Sequence, residues 1–148
     1  MARALIVGCG CRGQTLARAL RDDGLVVRGT SRRPEAAGAV EAAGAEFAMA
    51  DPERLATLVP HLGGVTVVCW LLAPVDRPAL HGERLRTVLE HIVDTPVRGL
   101  VYEGGPGAQL VRDAGERRRM PVRVVAEPPA EHERWLAAMR AAVAGVLA

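Results

Sequence analysis

Ala4-Leu5-Ile6-Val7-Gly8-Cys9-Gly10-Cys11-Arg12-Gly13 joins an apolar run to three glycines at fixed spacing. The run reads as a strand buried on both faces. Gly8-x-Gly10-x-x-Gly13 reads as the turn that carries the chain from that strand into a helix. A helical stretch from Gln14 to Asp23 follows, and then a second β-type run, Leu25-Val26-Val27-Arg28-Gly29. Thr30-Ser31-Arg32-Arg33 stands where that run stops. Strand, glycine-rich turn, helix and strand make a βαβ unit of about 30 residues.

The alternation continues along the chain. Ala36 to Ala43 predicts a short second helix with Gly44 as its stop, and Ala45 to Met49 a third strand. Asp51-Pro52-Glu53 has the capping side chain, first-turn proline and acid of a helix start, and this helix is expected to run to His61 before Gly63-Gly64. Val65 to Leu72, apolar but for Thr66, reads as a strand. Pro74 and Pro78 bracket a loop, after which Leu80, Leu85, Val88, Leu89, Ile92 and Val93 recur at helical spacing. Val97 to Tyr102 is a fifth strand leading into Glu103-Gly104-Gly105-Pro106-Gly107. A helix over 108–118, a sixth strand from Val122 to Ala126 and a closing helix with Trp135, Leu136, Met139, Val143 and Val146 on its inner face complete the pattern. Six strands alternating with six helices predict an α/β fold: a doubly wound, six-stranded, mostly parallel sheet in the order 3-2-1-4-5-6, with helices on both faces. Residues 1–148 read as one domain, with substrate-binding parts expected from loops or from another subunit.

The glycine turn works through its backbone. Gly8 permits the tight exit from the strand, Gly10 lets the main chain approach a pyrophosphate, and Gly13 lets helix and sheet pack closely. The helix start offers free N–H groups and partial positive charge to phosphate. A dinucleotide is the implied ligand. The end of the second strand selects which one: an acid there would accept from a ribose 2′-OH and favour NAD. This chain instead has the hydroxyls of Thr30 and Ser31 followed by the guanidiniums of Arg32 and Arg33, and a guanidinium fork matches phosphate oxygens. NADP is therefore expected over NAD, with Arg12 and Cys11 inside the turn beside the phosphates and Arg12 reaching toward the 2′-phosphate. The alternative is that Arg32-Arg33 is a solvated loop. Asp51 is placed either to accept from the adenine amino group or to cap its helix. Leu72-Ala73-Pro74 should form an apolar wall beside the cofactor.

Composition limits the chemistry. The chain has 148 residues, 49% of them hydrophobic but only 3% aromatic, so its core must be aliphatic. A net charge of +2 points to no nucleic-acid surface. All 19 basic residues are arginine. The absence of lysine excludes a P-loop lysine, a Schiff base and a catalytic Tyr-x-x-x-Lys pair. Cys9, Cys11 and Cys69 form no disulfide framework and lack zinc-type spacing, which fits a reduced, cytoplasmic setting, and no metal site is expected. Val65 to Val75 is too short to span a bilayer, so no membrane partner is expected.

Together, Gly8-x-Gly10-x-x-Gly13, Thr30-Ser31-Arg32, Asp51 and Val101-Tyr102-Glu103-Gly104-Gly105 make the chain resemble the atypical and extended short-chain dehydrogenase/reductases, including epimerase/dehydratase-like proteins. The resemblance implies that these positions hold, in that order, the pyrophosphate, the 2′-phosphate, the adenine and the nicotinamide side. It also implies a tyrosine acid/base with a lysine four residues on. Here the only tyrosine is Tyr102, and Pro106 occupies the fourth position after it. The resemblance implies a C-terminal substrate lobe as well, for which no counterpart is expected within residues 1–148.

Tyr102 and Glu103 are the remaining candidates for proton exchange beside a nicotinamide ring, since a carboxylate buried by a cofactor has a raised pKa. The competing account is structural, with the tyrosine packed on the sheet and Glu103 hydrogen-bonded to a turn. Cys9 and Cys11 are either thiols activated at a helix start or small fillers in a crowded turn. Arg117-Arg118-Arg119 reads as a solvated helix end. The stripes Leu80–Val93 and Trp135–Val146 would either pair in a homodimer or pack on the sheet. Three roles follow: an NADP-dependent oxidoreductase or isomerase acting on a small carbonyl compound, a non-catalytic NADP(H)-sensing partner, or a structural domain with a decayed site.

Overall fold

A computed structural model describes residues 1–148. Strands β1 (Arg3–Val7), β2 (Val26–Ser31), β3 (Glu46–Met49), β4 (Val67–Trp70), β5 (Gly99–Glu103) and β6 (Val122–Val125) form one sheet in the order β3-β2-β1-β4-β5-β6. Every neighbouring pair is parallel, with Leu5 opposite Val68 and Trp70 opposite Tyr102. The expected strand order is the observed one. Parallel neighbours need a crossover between them, and five helices supply it: α1 (Cys11–Asp22), α2 (Ala37–Ala42), α3 (Leu55–Leu58), α4 (Glu83–Ile92) and α5 (Ala108–Arg118); α6 (His132–Leu147) follows the last strand and packs back on the sheet.

Side chains alternate across a strand, and here both faces are covered. Ala4, Ile6, Cys69 and Val101 pack with α1 and α6 on one face; Leu5, Val7, Trp70 and Tyr102 pack with α4 and α5 on the other. Each face holds a cluster of 20 buried residues, so neither side of the sheet is left to solvent. That double cover explains why the central strands β1 and β4 read as continuous apolar runs rather than alternating ones.

Three elements differ from expectation. The helix expected from Asp51 starts only at Leu55 and lasts one turn before a 3-10 segment, Val59–Leu62. Pro60 has no N–H for the α-helical ladder, and Asp51 turns the chain rather than capping the helix, its Oδ1 accepting from Glu53 N at 3.0 Å. The fourth strand is confined to Val67–Trp70. The stripe from Leu80 divides into a 3-10 turn, Pro78–His81, and α4, with Gly82 between them. Trp70 pins that turn to the sheet by donating its indole N–H to Leu80 O at 2.9 Å. Both apolar stripes proposed for dimer contacts lie largely on the sheet: Leu85, Val88, Trp135 and Met139 are buried in the single chain. No helix is long and apolar enough to cross a membrane.

Candidate functional site

A cleft of about 520 Å³ opens at the carboxyl ends of β1 to β4. Its floor is the glycine turn. Gly8 has φ +88°, and a Cβ there would lie 2.7 Å from Leu71 O, so both conformation and space require glycine. A Cβ on Gly13 would meet Gly8 O at 3.1 Å and Ile6 Cγ2 at 3.2 Å, the close approach of helix to strand. Nothing lies within 4 Å of the corresponding position on Gly10, whose α-face is open to the cleft. The first α-helical bond of α1 runs from Gln14 N to Gly10 O. The N–H groups of Cys11, Arg12 and Gly13 precede it, and no side chain caps them. Free amides and the positive dipole end thus face the cleft together.

The turn is fastened to the second strand. Cys9 N donates to Thr30 O at 2.8 Å, and Gly8 N to Thr30 Oγ1 at 3.3 Å. Thr30 is buried and its hydroxyl supports the turn; Ser31 Oγ accepts from Arg33 N at 3.1 Å and fixes the bend. Beyond it Arg32 and Arg33 are exposed at the cleft and enter no ion pair. Of the other two cleft arginines, Arg77 lies 3.7 Å from Glu53 and Arg12 is paired with Glu103 through Nε and Nη2. Two unneutralised guanidiniums therefore stand at the end of β2, accompanied by the carboxylates of Glu35 and Asp51.

Asp51 lines the cleft with its second carboxylate oxygen uncommitted. The apolar wall comes from Leu71, Leu72, Pro74 and Val75. Leu72 stands where expected; Ala73 does not reach the cleft, and Leu71 and Val75 take its place. The pair Glu53–Arg77 links the segments after β3 and β4, a contact that spacing along the chain did not reveal.

Tyr102 and Glu103 are positioned differently from a pair facing a nicotinamide ring. Tyr102 is fully buried on the α4 side. Its Oη accepts from Gly107 N at 2.9 Å and lies 2.7 Å from His81 Nδ1. Burial pushes its phenol above the usual tyrosine range, only partly offset by the Gly107 N–H. Glu103 is 2% exposed and points to the opposite face. Its Oε2 accepts from Arg12 Nε and from Trp135 Nε1, each at 2.9 Å, and its Oε1 accepts from Arg12 Nη2 at 2.6 Å. The bidentate pair holds Arg12 between the turn and β5, on the side of the turn away from Arg32 and Arg33. Neither residue lines the cleft.

Cys9 and Cys69 are buried, and desolvation pushes both thiols up to about 12. Cys9 is the filler: its Sγ would be 2.6 Å from a Cβ on Gly29, so a glycine inside β2 makes room for the turn. Cys11 alone is exposed, in the cleft. At the far end of α5, Arg118 lies 3.8 Å from Glu90 and Arg119 is exposed with φ 54°, in the left-handed region.

No protein-family model and no curated protein matches this chain. Solved structures do. UDP-N-acetylglucosamine 4-epimerase from Bacillus cereus superposes with a TM-score of 0.64 at 13% identity, over 84% of this chain and 53% of the epimerase. The Citrobacter triphenylmethane reductase complexed with NADP(H) gives 0.63 at 18%, over 84% and 49%. A short-chain dehydrogenase/reductase superfamily protein from Agrobacterium tumefaciens with bound NAD gives 0.58 at 22%, over 82% and 48%. The structural neighbours are thus epimerase- and reductase-type Rossmann proteins, and the chain spans about half the length of each of these three. At such identities the likeness establishes the fold.

Proposed function

We propose that this chain is an NADP(H)-binding protein of the reductase/epimerase-like kind, with NAD the weaker ligand and residues 1–148 acting as one nucleotide-binding domain. One observation carries the reading: free first-turn amides and two unpaired guanidiniums open on the same cleft. The amides of Cys11, Arg12 and Gly13 would take the diphosphate, with Gly8 and Gly10 keeping the approach clear. Arg32 and Arg33, aligned by Ser31, would take the ribose 2′-phosphate as charge-assisted pairs. Asp51 would accept from the adenine amino group, against the wall of Leu71 and Leu72. Three cysteines without a disulfide suit a reducing, cytoplasmic compartment.

When bound, NADPH supplies hydride. In the catalytic form of the reading, the protein acts on a small carbonyl compound with Tyr102 or Glu103 exchanging the proton. That form requires the Arg12–Glu103 pair to open for Glu103, or the contacts of Tyr102 Oη with Gly107 and His81 to open for Tyr102. The second form, an NADP(H)-sensing or regulatory protein, is favoured by the engaged state of both candidate groups.

Calorimetry with NADP+ and NAD+ tests the ligand assignment. NADP+ is expected to bind at least about tenfold more tightly, a difference near 1.4 kcal/mol, and Arg32→Ala to remove most of that preference. Equal affinity for the two, or no change in Arg32→Ala, rejects it. Incubation with NADPH and a panel of carbonyl compounds separates the two forms: turnover abolished by Tyr102→Phe or Glu103→Gln marks catalysis, whereas binding without oxidation marks sensing.

A further inference from the structure

The two ends of the cleft are built on different terms. All of its walls come from residues 8–80: the turns after β1, β2 and β3 and the segment after β4. A dinucleotide lying across a doubly wound sheet uses both mononucleotide halves of the fold. Its second half would therefore rest over the carboxyl ends of β5 and β6.

That region is closed from within. Arg12 reaches across from the glycine turn and is held by both oxygens of Glu103, while Trp135 of α6 donates to the same carboxylate. Gly104 N donates to Val125 O at 2.7 Å, tying β5 to β6 where the strands end. Tyr102 Oη is taken up by Gly107 and His81 on the other face. The side chains ending β5 thus present no free donor or acceptor to the cleft. A ring seated there meets no free side-chain partner on β5, and would gain one only by opening a bidentate pair whose carboxylate is 2% exposed, leaving a buried charge without its partner. No comparable obstacle stands at the other end, where Arg32 and Arg33 carry charge that no carboxylate neutralises.

Resting on the nucleotide assignment above, we propose that the cleft recognises the 2′-phosphoadenosine diphosphate portion of its ligand and that the nicotinamide ring contributes nothing to binding. The ligand class is then adenine nucleotides bearing a ribose 2′-phosphate. It follows that the protein does not distinguish NADP+ from NADPH. As a sensor it answers to the total amount of the 2′-phosphorylated dinucleotide and not to its redox ratio.

The test titrates the full chain by calorimetry with NADP+, NADPH, 2′-phospho-ADP-ribose, NAD+ and nicotinamide mononucleotide. The first three are expected to share one Kd within about threefold, while the mononucleotide neither binds nor competes. If NADP+ or NADPH binds more than about threefold tighter than 2′-phospho-ADP-ribose, the proposal falls while the NADP assignment stands. If none of the 2′-phosphorylated ligands binds, or NAD+ binds as well as NADP+, both readings fail together. Because every arm uses the unaltered protein, misfolding of a variant cannot imitate any of these results.

Discussion

The sheet divides at β1 and β4 into halves that share a topology and differ at their open ends. In the first half, β1 to β3, the strand ends lead into the glycine turn, helix amides without partners and the unpaired Arg32 and Arg33. In the second, β4 to β6, they carry Trp70, Tyr102 and Glu103, and each polar group of these side chains is hydrogen-bonded inside the protein. A parallel sheet covered on both faces leaves few positions for recognition, and its strand ends are foremost among them. Whether an end recognises a ligand or stabilises the fold depends on whether its polar groups are left over or paired within. One arginine joins the two regimes: Arg12 begins in the open half and finishes in the closed one.

The strongest way to break the contrast is Glu103→Ala. It leaves the Arg12 guanidinium and the Trp135 indole N–H without their acceptor, and should cost about 3–5 kcal/mol in urea unfolding. A loss below about 1 kcal/mol would mean that the closed half does not depend on the pair. The matching cut in the open half is Gly8→Ala, which places a Cβ 2.7 Å from Leu71 O at φ +88°. An expected loss of about 2 kcal/mol, smaller than that of Glu103→Ala, accompanies weakened nucleotide binding. A loss larger than that of Glu103→Ala would reverse the ranking of the two halves.

The smallest effect is read from the thiols. One thiol per chain, Cys11, should react with a water-soluble thiol reagent in the native protein, and all three after denaturation. Cys9 and Cys69 have folded values near 12 against an ordinary 9.0. Between these limits the folded state holds more protons than the unfolded chain, so stability should fall as pH rises from 9 toward 12. Tyr102, also raised, adds to that fall above pH 10. Urea titrations across this range check the slope, and stability that is flat or rising would contradict the burial of these groups.

Much of this was legible along the chain. The glycine turn and the basic pair at the end of β2 follow from neighbours within about 30 residues, because a βαβ unit is a local object. The strand order, which sets Ala4 beside Val67, follows instead from the alternation of strands and helices along the whole chain. The bounds of α3 were not, since Asp51-Pro52-Glu53 carries helix-start signals that Asp51 satisfies by turning the chain. The fate of Arg12 was hidden for a different reason. It lies 91 positions from Glu103, and Trp135 another 32 beyond, so no periodicity brings the three together. Gly29 inside a strand is a local sign of a close approach, and Cys9 is what it admits.

Apolar periodicity and glycine placement were thus enough to dictate the architecture and the location of the cleft, since both depend on backbone conformation and burial, which act over short spans. Which ionisable groups remain free to meet a ligand was decided only when the sheet brought β5 and α6 against the first turn of α1. Pairing between charges is set by distance in space, and chain separation carries no record of it.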